Sequence, residues 1–178
     1  GMLNGKDEFV MIDEQKIVYE PAMHMARNVS KGKKQVLIVD GGPGTGKSVV
    51  AINLLVNLTK EQKLVQYVTK NSAPREVFES KLTGEYRRTV ISNLFKSSGS
   101  YVATPPDTID ALIVDEAHRL NEKSGMFSNL GENQVKEIIR SSLFSVFFID
   151  ENQRISLKDI GTKGEIEMWA ARLGATVY

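Results

Sequence analysis

Apolar and polar positions alternate along the chain in blocks. Short, near-continuous apolar runs fall at Gln35–Val39, Leu64–Thr69, Ala111–Val114, Val146–Ile149 and Ala175–Tyr178. Runs of this length with no polar face predict strands covered on both sides. The stretches between them carry a helical pattern and predict helices over Lys47–Lys60, Pro74–Leu82, Asn133–Ser142 and Gly164–Leu173, with one more around Glu14–Asn28 ahead of the first strand. Strands alternating with helices predict an α/β fold, a parallel sheet joined by right-handed crossovers. Residues 83–108 are the least regular part, and Ser97-Ser98-Gly99-Ser100 and Pro105-Pro106 within them predict surface loop. There is no internal repeat, and residues 2–178 are expected to form a single domain. The last predicted strand runs into the chain end without a cap or polar tail, so the chain is expected to stop inside a longer protein.

Between the first strand and the helix after it stands "VDGGPGTGKSVVAINLLV", residues 39–56. Gly41, Gly42, Gly44 and Gly46 cost backbone entropy on folding. Gly41-x-x-x-x-Gly46-Lys47-Ser48 has the spacing of a phosphate-binding loop, and a strand precedes it and a helix follows, as that loop requires. Glycines let the backbone curl so that its N–H groups converge on one anion. The helix N-terminus adds unpaired donors and the positive end of its dipole. Gly41, Gly42, Pro43, Gly44, Thr45, Gly46, Lys47, Ser48 and Val49 therefore form the candidate nucleotide cradle. Lys47 is placed to reach the β- and γ-phosphates of ATP, and the Ser48 hydroxyl to bind Mg²⁺.

Composition narrows the remaining chemistry. At 178 residues, 41% hydrophobic and 25% charged, the chain has the make-up of an ordinary globular domain. It has no apolar run long enough for a membrane helix and no signal-peptide pattern, so a cytoplasmic location is expected. Cysteine is absent, which excludes disulfides, a thiol nucleophile and thiolate metal sites. The net charge of +1 neither favours nor excludes a nucleic-acid partner.

"ALIVDEAHRL", residues 111–120, ends an apolar strand in two carboxylates. A parallel strand delivers its C-terminal residues to the ligand edge of the sheet. Asp115 is placed to hold Mg²⁺ through the ion's water shell. Glu116 is the candidate general base toward an attacking water. His118 reads either as a coupling residue or as a surface imidazole. "SVFFIDENQRI", residues 145–155, repeats the pattern of apolar strand then polar edge, which brings Asp150 and Gln153 to the same side. Gln153 is placed to sense a γ-phosphate or an attacking water through its amide. In phosphate-loop ATPases with a catalytic glutamate, one strand usually lies between the loop strand and the acidic strand. That expectation gives the order 5-1-4-3-2 for the five predicted strands.

Together, "DGGPGTGKSVVAINLL", "TKNSAPREV", "IVDEAHRLN", "GENQVKEII" and "VFFIDENQRI" resemble the prokaryotic Schlafen-like DNA/RNA helicase-domain proteins, which are similar to superfamily 1 helicases. The likeness runs from about Phe9 to Tyr178. It implies a P-loop NTPase of RecA-like, three-layer architecture with a mainly parallel sheet. It matches Lys47 and Ser48 to Walker A, Asp115 and Glu116 to Walker B, and Asp150 and Gln153 to helicase motif III, although Ile149 stands where many relatives have glycine. Gln15, in "MIDEQKIVYEPA", sits where such helicases place an adenine-reading glutamine, and reads equally as an exposed helix residue. Thr69, Asn71 and Arg75 fall where motif Ia touches a nucleic-acid backbone. "DEAH" is commoner in superfamily 2 than in superfamily 1. The resemblance also implies a second motor domain beyond Tyr178, without which strand translocation is not expected.

Segment 70–96 carries Lys70, Arg75, Lys81, Arg87, Arg88 and Lys96 against Glu76, Glu79 and Glu85, a modest positive excess. It reads as a solvated face or as a track for single-stranded DNA or RNA. Two readings of the whole follow. One is an ATP-hydrolysing, Mg²⁺-dependent motor domain acting on DNA or RNA. The other is a nucleotide-dependent switch that regulates a protein partner without touching nucleic acid.

Overall fold

The computed structural model describes residues 11–30, 32–41, 46–69, 93–122, 130–150, 160 and 162–178, with Ser48 described by its backbone only. The strands are β1 (Gln35–Asp40), β2 (Val65–Val68), β3 (Phe95–Lys96), β4 (Ile109–Val114), β5 (Ser142–Ile149) and β6 (Thr176–Val177). The helices are α1 (Asp13–Arg27), α2 (Lys47–Lys60), α3 (Gln134–Ser141) and α4 (Lys163–Arg172), with a short 3-10 turn at Ala117–Arg119. The helix predicted over Pro74–Leu82 lies outside the described residues.

One sheet holds the order β3-β2-β4-β5-β1-β6, and every described pairing is parallel. The five predicted strands lie in the predicted order, with β5 seated between β1 and β4. The sequence reading missed β3, which occupies part of the stretch expected to be surface loop. Two residues are too few for a strand period to show. Phe95 joins the edge through its backbone and its ring, 5.7 Å from the ring of Tyr67 between centroids. In the same stretch Ser98 and Tyr101 are buried, so it is only partly a surface loop, although Pro105 and Pro106 are exposed.

Side chains alternate across the sheet with the period of two that strands impose. Ala111 and Ile113 of β4 face a core layer shared with Ala22, Met23 and Ala26 of α1 and Leu54, Leu55 and Leu58 of α2. Leu112 and Val114 face the other layer, with Val135, Ile138 and Ile139 of α3 and Ile166 and Ala170 of α4. The result is three layers, helices on both faces of one sheet. The central strand β5 is buried along all eight residues, four more than predicted, because Ser142 and Ser145 break the apolar run. Ser142 tolerates burial by donating its hydroxyl proton to the Ile138 carbonyl at 2.9 Å. No described helix is long and apolar enough to cross a membrane.

At the edge opposite the phosphate loop, Lys34 ties three elements together. Its ammonium donates to Asp107 Oδ1 at 2.5 Å and to the carbonyls of Ile139 at 2.7 Å, Arg140 at 3.2 Å and Ser142 at 2.6 Å. Of the last-turn carbonyls of α3, Arg140 also accepts from the Asp107 N–H and Ser141 from the Thr108 N–H, both at 3.0 Å, and Lys34 supplies a donor to Ile139. Lys34→Met keeps the aliphatic stem and removes the charge, and is expected to cost about 2–3 kcal/mol, the scale of hydrogen bonds to a charged group. Urea unfolding checks this as a lower midpoint with an unchanged slope; an unchanged midpoint would show that water replaces the ammonium there.

Candidate active site

Because the sheet is parallel, β1, β4 and β5 all end at one edge. Gly41 N–H donates to the Ile149 carbonyl at 3.1 Å, which fastens the start of the glycine-rich loop to the end of β5. Gly46, at the far end of the loop, caps α2 with φ of +77°, in the left-handed region that favours glycine. A side chain there would also collide: a Cβ would lie 1.8 Å from Gln15 Nε2. Lys47, the first residue of α2, turns its ammonium inward to donate to the carbonyls of Gly41 and Ile149, the latter at 3.0 Å. Val49 follows in the first turn, its N–H donating to the Gly46 carbonyl at 3.1 Å. Gly42, Pro43, Gly44, Thr45 and the Ser48 side chain lie outside what is described.

Beside the loop is a cavity of about 200 Å³, bounded by Gln15 and Val18 of α1, Asp40 and Gly41 at the end of β1, Lys47 of α2 and Phe148 of β5. Gln15 is half-buried at its rim. Its Oε1 accepts from the Ile12 N–H at 3.0 Å, which closes the first turn of α1, and its Nε2 donates to the Gly46 carbonyl at 3.4 Å. Gln15 therefore joins α1 to the phosphate-loop end rather than standing free on the helix surface.

Asp115 leaves β4 with its N–H donating to the Val68 carbonyl at 3.0 Å, one step beyond the strand pairing. Its carboxylate is held from two sides: Oδ1 accepts from Glu116 N–H at 2.9 Å and Oδ2 from the Tyr67 hydroxyl at 3.0 Å. Burial, then the neighbouring Asp115 charge, pushes the Tyr67 hydroxyl well above the usual tyrosine range, so it stays a donor. Glu116 has φ of +48°, an uncommon value for a residue with a side chain, and begins the 3-10 turn. Its Oε2 is buried and has no hydrogen-bond partner among the described residues; the Arg119 guanidinium stands 3.9 Å away.

His118 is buried, which excludes the surface-imidazole reading. Its Nδ1 accepts from the Asp150 N–H at 3.3 Å, so the ring proton sits on Nε2. The contact ties the turn after β4 to the end of β5, where Asp150 is itself buried. Thr69 is half-buried at the exit of β2, its N–H donating to the Lys96 carbonyl at 3.1 Å. Gln153, Asn71 and Arg75 lie outside the described residues.

The structure thus brings Gln15, Gly41, Gly46, Lys47, Asp115, Glu116 and Asp150 to the ends of neighbouring strands. Sequence reasoning missed Tyr67. The available signal was an aromatic residue with a polar tip near the end of a strand that lies beside the acidic one.

Residues 34–178 match the family model described as Schlafen group 3, DNA/RNA helicase domain. No curated protein matches the chain. Among solved structures, the chain is similar to the Hef helicase domain of Pyrococcus furiosus, at 15% identity and a TM-score of 0.50, over 99% of this chain and 39% of that one. It is also similar to the SWI2/SNF2 ATPase core of Sulfolobus solfataricus in complex with dsDNA, at 14% identity and a TM-score of 0.47, over 93% of this chain and 44% of that one. A DNA replication initiation factor matches at 14% identity and a TM-score of 0.46, over 100% of this chain and 50% of that one. The chain spans half or less of the length of these structures. At such identities the likeness, carried by the Hef domain, concerns the fold alone, a RecA-like P-loop architecture.

Proposed function

Because the chain belongs to the Schlafen group 3 DNA/RNA helicase-domain family, we propose that it binds and hydrolyses ATP with Mg²⁺ as a motor domain acting on DNA or RNA. One observation carries this reading. Lys47 at the loop after β1 and the Asp115–Glu116 pair after β4 stand at the same sheet edge, with β5 between their strands.

The loop from Gly41 to Val49 cradles the phosphates, and Lys47 places its charge on the β- and γ-oxygens. Gln15, at the rim of the adjoining cavity, reads the adenine. The donor set suits Mg²⁺, which takes one or two protein oxygens and fills the rest with water and phosphate. Asp115 is a half-buried carboxylate with lone pairs to spare after accepting from Tyr67 and Glu116, and the neighbouring Glu116 Oε2 is a buried acceptor without a donor among the described residues. Ser48 and Asp115 would hold the ion, which when bound neutralises charge building on the phosphate oxygens. Glu116 takes the proton from the attacking water, and Gln153 orients that water against the γ-phosphate.

Thr69, Asn71 and Arg75, at and beyond the exit of β2, contact the backbone of a single strand. Such contacts are largely independent of sequence and weaken with salt, with a slope of about −0.7 per neutralised phosphate on single strands. Full-length protein titrated with fluorescent single-stranded oligonucleotides is expected to bind more weakly as salt rises. Arg75→Ala is expected to show a shallower salt slope. Absence of binding to either DNA or RNA at low salt, with a non-hydrolysable ATP analogue present, would point instead to a nucleotide-dependent switch acting on a protein.

A further inference from the structure

Tyr67 is the partner of Asp115 that the proposed reaction leaves unexplained. Its ring is fully buried in the layer between the sheet and α1–α2, where a phenylalanine would fill the same space. Its hydroxyl nevertheless reaches Asp115 Oδ2 at 3.0 Å, while Oδ1 of the same carboxylate takes the Glu116 N–H at 2.9 Å. One donor alone would leave the carboxylate free to rotate about its terminal bond, since that torsion is broad. Two donors on different oxygens fix both its plane and its direction. A carboxylate has about four acceptor positions, so two remain after the bonds from Tyr67 and Glu116. Because those two positions are where metal-bound waters would be held, the orientation of the carboxylate decides how well they are met.

We propose that Tyr67 is a positioning residue for the Mg²⁺ of the bound nucleotide, acting through its hydrogen bond to Asp115 Oδ2. The inference rests on the nucleotide-site reading given above. Tyr67 lies on β2, one strand away from the carboxylate it orients, and two residues before Thr69. The metal site is therefore supported from the strand that also leads to the proposed nucleic-acid contacts. Partners of this kind around a metal typically change its affinity about 10–100-fold when removed. The lower end is expected here, because Mg²⁺ is reached through water and Glu116 N–H remains.

The test uses full-length protein and a fluorescent ATP analogue, titrated in excess Mg²⁺ and again in EDTA, followed by a Mg²⁺ titration at fixed nucleotide. Tyr67→Phe is expected to raise the Mg²⁺ concentration for half-saturation about tenfold while leaving affinity in EDTA unchanged. In an Asp115→Asn background the same substitution is expected to have no further effect on the Mg²⁺ dependence. An unchanged Mg²⁺ requirement in Tyr67→Phe, or an equal loss of affinity with and without Mg²⁺, would overturn the positioning role while leaving the nucleotide site standing. Wild-type protein that binds no nucleotide, or binds it indifferently to Mg²⁺, would overturn the site reading and this inference together. A measurement that does not depend on the variant folding uses 3-fluorotyrosine placed at position 67 alone. Its fluorine resonance is expected to shift when Mg²⁺ is added to the nucleotide complex, and a resonance that stays in place would count against the proposal.

Discussion

Glu116→Gln is expected to bind ATP as the wild type does and to turn it over about a hundred- to ten-thousand-fold more slowly, the usual scale for loss of a general base. That corresponds to about 3–5 kcal/mol of transition-state stabilisation. The substitution keeps the shape of the side chain, so the left-handed backbone at this position and the turn it begins have no reason to change. It removes only the ability to take a proton. Glu116 Oε2 is a buried atom with no hydrogen-bond partner among the described residues, and an amide in its place would present either a carbonyl that is a poor base or an N–H that repels the water's proton. Single-turnover measurements on full-length protein separate the two steps. Normal nucleotide affinity with a collapsed rate supports the assignment, and an unchanged rate would move the base elsewhere.

Lys47→Ala is expected to remove most of the ATP affinity. Truncating one partner of a buried, hydrogen-bonded charge pair costs about 2–4 kcal/mol, or roughly 30- to 1000-fold. The domain itself should tolerate the change. The ammonium donates to the carbonyls of Gly41 and Ile149, and the Ile149 carbonyl keeps its second donor, the Gly41 N–H. Calorimetric titration should therefore show a weak or absent signal for a protein whose melting temperature is close to that of the wild type. Equal affinity in wild type and variant would remove the phosphate-binding role from this loop.

The strands were legible because their causes are local: apolar runs covered on both faces announced five of them, and the glycine-rich loop marked the ligand edge. Their order was not local: the seat of β5 between β1 and β4 came from the strand arrangement usual in phosphate-loop ATPases with a catalytic glutamate. β3 was not legible: it is two residues long, and Phe95 becomes an edge residue only through the backbone pairing with β2 and the ring of Tyr67. The first half of β5 was hidden by Ser142 and Ser145, since a serine in a strand looks like the end of one; the bond of the Ser142 hydroxyl to the preceding helix appears only in the fold. Within the site, residues adjacent in sequence were easy to group, as with Asp115 and Glu116. The contacts that cross the fold were not. Gln15 lies 31 positions from Gly46, Tyr67 lies 48 from Asp115, and His118 lies 32 from Asp150. Each is a polar tip meeting a partner delivered by another strand or helix, and no spacing rule on one chain segment encodes it. The burial of His118 belongs to the same class, because a DEAH stretch reads alike whether its imidazole faces water or the end of β5.

The most direct test of the motor reading is the steady-state rate of ATP hydrolysis by full-length protein in Mg²⁺, measured with and without single-stranded DNA or RNA. Hydrolysis is expected to require Mg²⁺ and to rise when the strand is added. No hydrolysis under any of these conditions, or a rate indifferent to a strand that is demonstrably bound, would contradict that reading.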